Sequence, residues 1–465
     1  MEAITSEKTN FPKVNKTFSI LMLFLASIAA VVIILTHEKQ ISKLAFGGTA
    51  VVVTLCYLVL YLFLLHFRYE VLQVIRKTFF ILLAILIFLF ITRVVSDRTS
   101  GNMIFLVPFA VIPVIIRTFY DSRMALFILL ITIMLAGFMV PQPFEFILMS
   151  FISGMVAIFT LTNNFRKSRL FFTAFMVFLT YSVLYTGITL LEYGDTSKVH
   201  MSDYILFAGN GFLILIGFPL IFIFEQKFLL ISNATLLELG DTNQPLLRKL
   251  ADEAPGSFQH SLQVAHLAEE AARVIGANML LVRTGSLYHD IGKIANPQYY
   301  IENQENEISP HEKLNPKDSA RLIINHVKNG VVLAKNYKIP IQVIDFIRTH
   351  HGTTVAYFFY KKYVDLHSGE PGAEKAFTYP GPRPFSKETA IVMMADAVEA
   401  SSRSLSKYTE EGISELVERI IYIQEQDGQY SDVPLTYKDI SDIKTVFKKR
   451  LSTIYHVRIA YPERI

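Results

Sequence analysis

A single cysteine stands among the 465 residues, Cys56, and it lies inside an apolar run. A disulfide framework within the chain is therefore excluded, and nothing ties the second half to an oxidising compartment. Net charge is nearly absent as well: 44 Lys and Arg against 40 Asp and Glu leave +4, which calls for no nucleic-acid polymer as partner. Charged residues make up only 18% of the chain, hydrophobic ones 52%, and the mean hydropathy is +0.39. That is too apolar for an ordinary soluble protein of this length. The shortage of charge is local. Apolar residues crowd into the first half, up to Phe224, and the second half has the balance of a soluble domain.

No small-residue cleavage site follows the first apolar run, Thr17 to Thr36, although Lys8, Lys13 and Lys16 precede it. The run is long enough to span a bilayer and reads as a retained anchor. About eight such stretches follow one another: 17–36, 44–66, 78–95, 103–116, 124–140, 144–162, 170–191 and 204–224. The fourth is short and carries Pro108 and Pro113, kinks that membrane helices tolerate when neighbours satisfy the freed backbone. Alternate connections differ in Lys and Arg. One set holds Arg68, Arg76 and Lys77, then Arg117 and Arg123, then Arg166, Lys167 and Arg169; the other, "HEKQISK", "SDRTSGN", "VPQPFE" and "EYGDTSKVHMSD", is poorer. The basic set is expected in the cytoplasm, and an even number of spans puts both termini there. Within the spans only Arg93, Glu145 and the polar Asn210 stand out. A transport path needs more than that, so the bundle reads as an anchor and a candidate sensor.

Strand-like alternation is missing from the second half. After "EQKFLLISNATLLELGDTNQPLLRKLADEAPGS", which reads as an amphipathic helix, a break and a short helix, apolar residues recur at helical spacing. The expected helices are "SLQVAHLAEEAARVIGA", stopped at Gly276; "NMLLVRTGSLYHDIGKI", running out near Gly292; "PKDSARLIINHVKNGVVLAKNY", starting at Asn315 or Pro316; "PIQVIDFIRTHHG", stopped at Gly352; "SKETAIVMMADAVEASSRSL", capped by Ser386; and "TYKDISDIKTVFKKRLSTIY". The fold class is all-α: a polytopic helical membrane bundle followed by an all-helical domain.

Costly polar residues arrive late in these apolar helices: His260, His289, Asp290, His326, His350, His351 and Asp396. Each has a plain alternative taken alone. His326 fits a satisfied core histidine, Asp396 a packing aspartate bonded to Ser401, and His260 a residue lining a helix start. Together, imidazole and carboxylate suit a transition metal better than Mg or Ca. A carboxylate can bridge two cations where an imidazole binds one, so His289 and Asp290 read as ligand and bridge of a two-metal site. Lys293, one helical turn on, is placed to face a substrate phosphate. His266, His311, His367 and His456 fall outside the set.

The runs "TLLELGDTNQPLLRKLADEAPGSFQHS", "YHDIGKI", "YYIENQ", "NHVKNG", "RTHHGTT", "YPGPRPFSKETAIVMMADAVEASSRS" and "YHVRIAYPE" resemble the seven-transmembrane HD-domain proteins, the PgpH-type cyclic di-AMP phosphodiesterases. The likeness covers roughly residues 44–465. With the apolar pattern, it gives the expected division: an N-terminal anchor and short outer loop at 1–43, a seven-helix bundle at 44–224, linker helices at 225–256 and a cytoplasmic HD phosphohydrolase domain at 257–465. It also implies hydrolysis of cyclic di-AMP to pApA at a di-iron or di-manganese site. His260, His289 and Asp396 would then hold one metal, His326, His350 and His351 the other, and Asp290 would bridge. Substrate contacts are expected from Lys293, Thr353 and Thr354. The partners implied are the cyclic dinucleotide and the lipid bilayer, with a homodimer left open. The run after "HHG" is "TTVAYFFY", without the glycine-tyrosine-proline signature of relatives acting on cyclic di-GMP, which favours the adenine dinucleotide. Where the family carries a large extracellular domain after the first span, only "HEKQISK" stands here, a naturally short form or one with that domain removed. The alternatives are an HD nucleotidase or triphosphohydrolase, and a membrane receptor whose domain only binds nucleotide.

Overall fold

The computed structural model describes residues 16–37, 42–99, 101–161, 167–304, 309–367, 373–405 and 407–455. Lys8, Lys13, Arg166, His456 and most of "HEKQISK" and "YHVRIAYPE" lie outside the described residues, as do the side chains of Lys16 and Lys167. The chain divides into two compact units, Met1–Ala234 and Thr235–Ile465. The division falls inside the linker expected at 225–256, and most of that linker belongs with the second unit.

Each expected apolar run forms helix over most of its described residues except the fourth, which breaks between Leu106 and Val111. The first unit contains α1 Lys16–Thr36, α2 Lys43–Phe67, α3 Ile75–Arg98, α4 Val111–Phe119, α5 Ser122–Gly137, α6 Pro143–Thr160, α7 Lys167–Tyr193, α8 Met201–Leu213 and α9 Gly217–Phe228. Among the described residues seven segments are long and apolar enough to cross a membrane, counting Gly101–Phe119 and Met201–Phe228 each as one; Ser122–Gly137 is apolar but has 16 residues. Pro113 sits in the first turn of α4, where a missing N–H breaks no helical bond. The chain before α4 is a 3₁₀ turn, Gly101–Leu106, and Asn210 Nδ2 donates to the carbonyls of Phe105 and Val107 at 2.7 and 3.1 Å. The polar residue of the last span thus satisfies the irregular backbone of the fourth. Arg93 is buried, pairs with Asp97 Oδ2 at 2.7 Å and donates to the His37 carbonyl at 2.5 Å. Buried Asp203, just before the expected span, accepts from Tyr185 Oη at 2.5 Å and Asn102 Nδ2 at 3.0 Å.

The second unit runs α10 Asn233–Leu239, α11 Pro245–Glu253, α12 Pro255–Val274, α13 Met279–Tyr288, α14 Pro316–Asn336, α15 Ile341–Thr349, α16 Tyr357–His367, α17 Lys387–Ser402, α18 Glu410–Gln426 and α19 Tyr437–Ile454. Among the described residues it holds no strand, only an isolated bridge between Val355 and Thr378. Helix α17 is its centre and packs against α12, α13, α15 and α18. Its Ile391, Met394 and Val398 share one core with Val264 and Leu267 of α12 and Phe447 of α19. A helix so enclosed cannot leave Asp396 and Glu399, both buried, without partners. The start of α17 is fixed by a capping box: Ser386 Oγ accepts from Thr389 N, and Thr389 Oγ1 accepts from Ser386 N. Asn315 caps α14 by accepting from Asp318 N, with Pro316 as first helical residue.

One helix ends earlier than its sequence pattern. The apolar period of "NMLLVRTGSLYHDIGKI" continues to Ile294, yet α13 stops at Tyr288 and a 3₁₀ turn, Ile291–Ala295, follows. His289 is the C-cap, and Asp290 takes φ −106° and ψ 12°, so the pair sits at a bend rather than within a helix. Replacing Ser386 with Ala should cost about 1 kcal/mol of stability. Thermal unfolding of the detergent-solubilised chain, followed by circular dichroism, is expected to show a lowered second transition.

Candidate metal centre

Six side chains from five helix ends or faces meet around Asp290. Each of its carboxylate oxygens faces a different pair of histidines. Oδ1 lies 3.4 Å from His326 Nε2 and 3.6 Å from His350 Nε2, whereas Oδ2 lies 3.3 Å from His289 Nε2 and 3.6 Å from His260 Nε2. Asp396 closes the arrangement from α17. Its Oδ1 is 2.8 Å from His260 Nε2 and 3.5 Å from His289 Nε2, and its Oδ2 is 3.9 Å from His351 Nδ1. Two groups can each offer three ligand atoms within 4.8 Å of one another: His260, His289 and Asp396, and His326, His350 and His351. A third group, His289, Asp290 and His350, joins the two. The seven residues named from the sequence are thus brought to one place, divided as the family resemblance divides them.

Local backbone aims the rings. His289 Nδ1 donates to the Ser286 carbonyl at 2.6 Å, His326 Nδ1 to the Ile323 carbonyl at 2.6 Å and His350 Nδ1 to the Ile347 carbonyl at 3.0 Å. With Nδ1 on a carbonyl, each Nε2 is left facing Asp290 as the atom that can bind a cation. His260 is held differently, its Nδ1 on the carboxylate of Glu399.

The donor set fits divalent transition metals. His289 Nε2 and both carboxylate oxygens of Asp290 are buried without a hydrogen bond, although charges approach them. Such orphaned atoms, converging from imidazole and carboxylate, are what a bound cation satisfies. Electrostatics divides the rings. Burial pushes His326 and His350 below the ordinary histidine range and His351 down to about 3. Burial acts the same way on His289 and His260, but the neighbouring Asp290 and Asp396 raise His289 to about 10, and Asp396 with Glu399 raises His260. Burial opposes ionisation of Asp290 as well, yet Lys293 and His289 hold its carboxyl well below the usual range.

Lys293 differs from its expected posture. Its ammonium lies 2.7 Å from Asp290 Oδ2 and 2.8 Å from Glu302 Oε1, so it serves as counter-ion to two buried acids while also lining the cavity. The cavity measures about 750 Å³ and is also lined by His260, Asp290, His351, Thr354 and Asp396, with Arg403, Ile420 and Gln424 farther out. Thr354 is on its wall, but Thr353 is not. Gly352, at φ +51°, reverses the chain, and Thr353 turns to Gln429 (N to Oε1, 3.0 Å) and to Arg383 (Oγ1 from Nε, 3.2 Å). His311 Nε2 donates to the Tyr299 carbonyl at 2.9 Å, and His367 stacks on Tyr363, both outside the two groups. Sequence reading missed Glu399, Glu302 and Arg403. Only Glu399 had a usable signal, its position three residues after Asp396 on one helix face.

Residues 43–232 match the family model described as "7TM receptor with intracellular HD hydrolase", and residues 257–401 match the HD domain model. The cyclic-di-AMP phosphodiesterase PgpH of Bacillus subtilis is 36% identical over 389 residues, 82% of this chain and 54% of that protein. The protein of the same name from Listeria monocytogenes is 35% identical over 384 residues, 81% and 53% respectively. The chain spans about half the length of these curated relatives. A crystal structure of the L. monocytogenes PgpH HD domain in complex with cyclic-di-AMP is 40% identical, covering 46% of this chain and 100% of that one, with a TM-score of 0.45.

Close backbone contact holds the bend at Asp290 against α14. A Cβ on Gly292 would lie 1.8 Å from the His326 carbonyl oxygen and 2.6 Å from Gly330 N. Gly292→Ala is therefore expected to separate Asp290 from His326 and destabilise the fold by about 1–3 kcal/mol, measured by chemical unfolding of the full chain.

Proposed function

We propose that this chain, a multi-pass membrane protein of the 7TM receptor family with an intracellular HD hydrolase, is a metal-dependent phosphodiesterase that opens cyclic di-AMP to pApA. The observation that carries the reading is Asp290, one buried carboxylate with an oxygen toward each of two histidine pairs. The two curated relatives named for this activity support it. His260, His289 and Asp396 would hold one ion, His326, His350 and His351 the other, with Asp290 between them and iron or manganese as the metals. When bound, such a pair supplies a water of lowered pKa and stabilises the charge of an in-line phosphoryl displacement.

The chain's own residues do the rest. Main-chain carbonyls fix the tautomers of His289, His326 and His350, so no ring must rearrange. Lys293 keeps Asp290 ionised and puts positive charge on the cavity wall, where a phosphodiester is attracted. Arg403 adds a guanidinium to the lining of the same cavity. A volume of about 750 Å³ has room for a whole dinucleotide. Water adds at one phosphorus, the bond to the 3′-oxygen breaks, and that oxygen takes the proton; the linear product keeps a terminal 5′-phosphate. Thr354, on the wall, is the hydroxyl placed to meet the substrate. Eight crossings, with Ser122–Gly137 counted, and the basic connections inside would put both termini and this domain in the cytoplasm.

The detergent-solubilised full chain, loaded with Mn²⁺ or Fe²⁺, is expected to convert cyclic di-AMP to pApA in preference to cyclic di-GMP and nucleoside triphosphates. Chromatography of the products checks this, and no turnover of any cyclic dinucleotide would sink the reading. Asp290→Ala should lose more than about 100-fold in turnover, beyond the usual loss for a residue that merely supports a ligand; undiminished activity would remove the bridge.

A further inference from the structure

Four of the histidines in the centre hold their Nδ1 on something, and one partner is unlike the others. His289, His326 and His350 each use a main-chain carbonyl three residues back. His260 uses the carboxylate of Glu399. Glu399 is buried, and its other oxygen, Oε1, accepts from Arg403 Nε at 2.9 Å and Nη2 at 2.6 Å. Asp396 and Glu399 are three apart on α17 and face the same way. The imidazole of His260 is therefore gripped at both nitrogens by one helix, Asp396 at Nε2 and Glu399 at Nδ1. Arg403, at the C-cap of that helix, supplies the countercharge that lets a third carboxylate sit beside Asp396 and Asp290.

We propose that Glu399, backed by Arg403, is a positioning residue that fixes the tautomer and raises the basicity of His260, and so sets the affinity of one metal position selectively. The proposal rests on the two-metal reading above. A carboxylate accepting from Nδ1–H leaves Nε2 as the ligand atom and makes it a stronger donor than a carbonyl does. No carboxylate holds the Nδ1 of His326 or His350, whose Nδ1 hydrogen bonds end on neutral carbonyl oxygens. Loss of the Glu399 charge should therefore weaken the group of His260, His289 and Asp396 and spare that of His326, His350 and His351.

The test is metal binding by the full chain in detergent, without substrate. Mn²⁺ is titrated into metal-free wild type and Glu399→Gln, with bound metal counted by elemental analysis and its state read by electron paramagnetic resonance. Glutamine keeps the size and can still accept from Nδ1–H, and circular dichroism of both metal-free proteins verifies the fold. Wild type is expected to bind two ions as a spin-coupled pair. Glu399→Gln should keep one tight ion with the isolated six-line spectrum, the other weakened by about 10- to 100-fold. Glu399→Asp should lie between the two. Two ions bound to Glu399→Gln with wild-type affinities would overturn the proposal alone, as would equal weakening of both. A wild-type chain that takes up no Mn²⁺ would overturn it together with the metal-centre reading.

Discussion

A carboxylate buried among imidazoles is the constraint on which the second unit turns. Asp290 is almost wholly enclosed, and Lys293 and His289 supply the charge that keeps it ionised there. Taking such a group out of water is expensive unless it is paired, so its neighbours are not free to vary. Lys293 must be close, Glu302 must hold Lys293, and the chain must bend at Tyr288 to bring His289 and Asp290 into the same space. The bend in turn requires the close pass of Gly292 over α14. Local backbone, packing and chemistry are consequences of one placement.

The first unit obeys a different constraint, the satisfaction of backbone groups away from water. Where the fourth apolar stretch breaks, a side-chain amide from the last span bonds the exposed carbonyls. Buried charge is partnered as well, Arg93 by Asp97 of its own helix and Asp203 by Tyr185 and Asn102 from other elements. These polar contacts serve packing.

The helical architecture and the seven polar residues were legible because both rest on local pattern. Apolar period marks helices, and histidine or aspartate at the end of an apolar helix is conspicuous for its cost. The end of α13 was hidden because Ile291 and Ile294 extend the period, while the reason for stopping, the Gly292 contact with His326, joins residues 34 apart and appears only in three dimensions. Thr353, expected among the substrate contacts, bonds Gln429 and Arg383 next to the left-handed Gly352 and does not line the cavity. Helix α18 has a readable stripe in Ile413, Leu416, Val417 and Ile421 that was passed over. Glu399 was missed although it follows Asp396 by three residues on one helix face, because that spacing does not tell a buried carboxylate from a solvated one.

The carbonyls that hold His289 and His350 belong to the last turns of α13 and α15, where a helix has acceptors left without amide donors. Folding of the helix ends therefore freezes the ring torsions before any ion arrives. The rotamer entropy of the proposed ligands would then be spent in forming the domain, not in capturing a cation. A cation captured there would have little rearrangement of these rings to wait for.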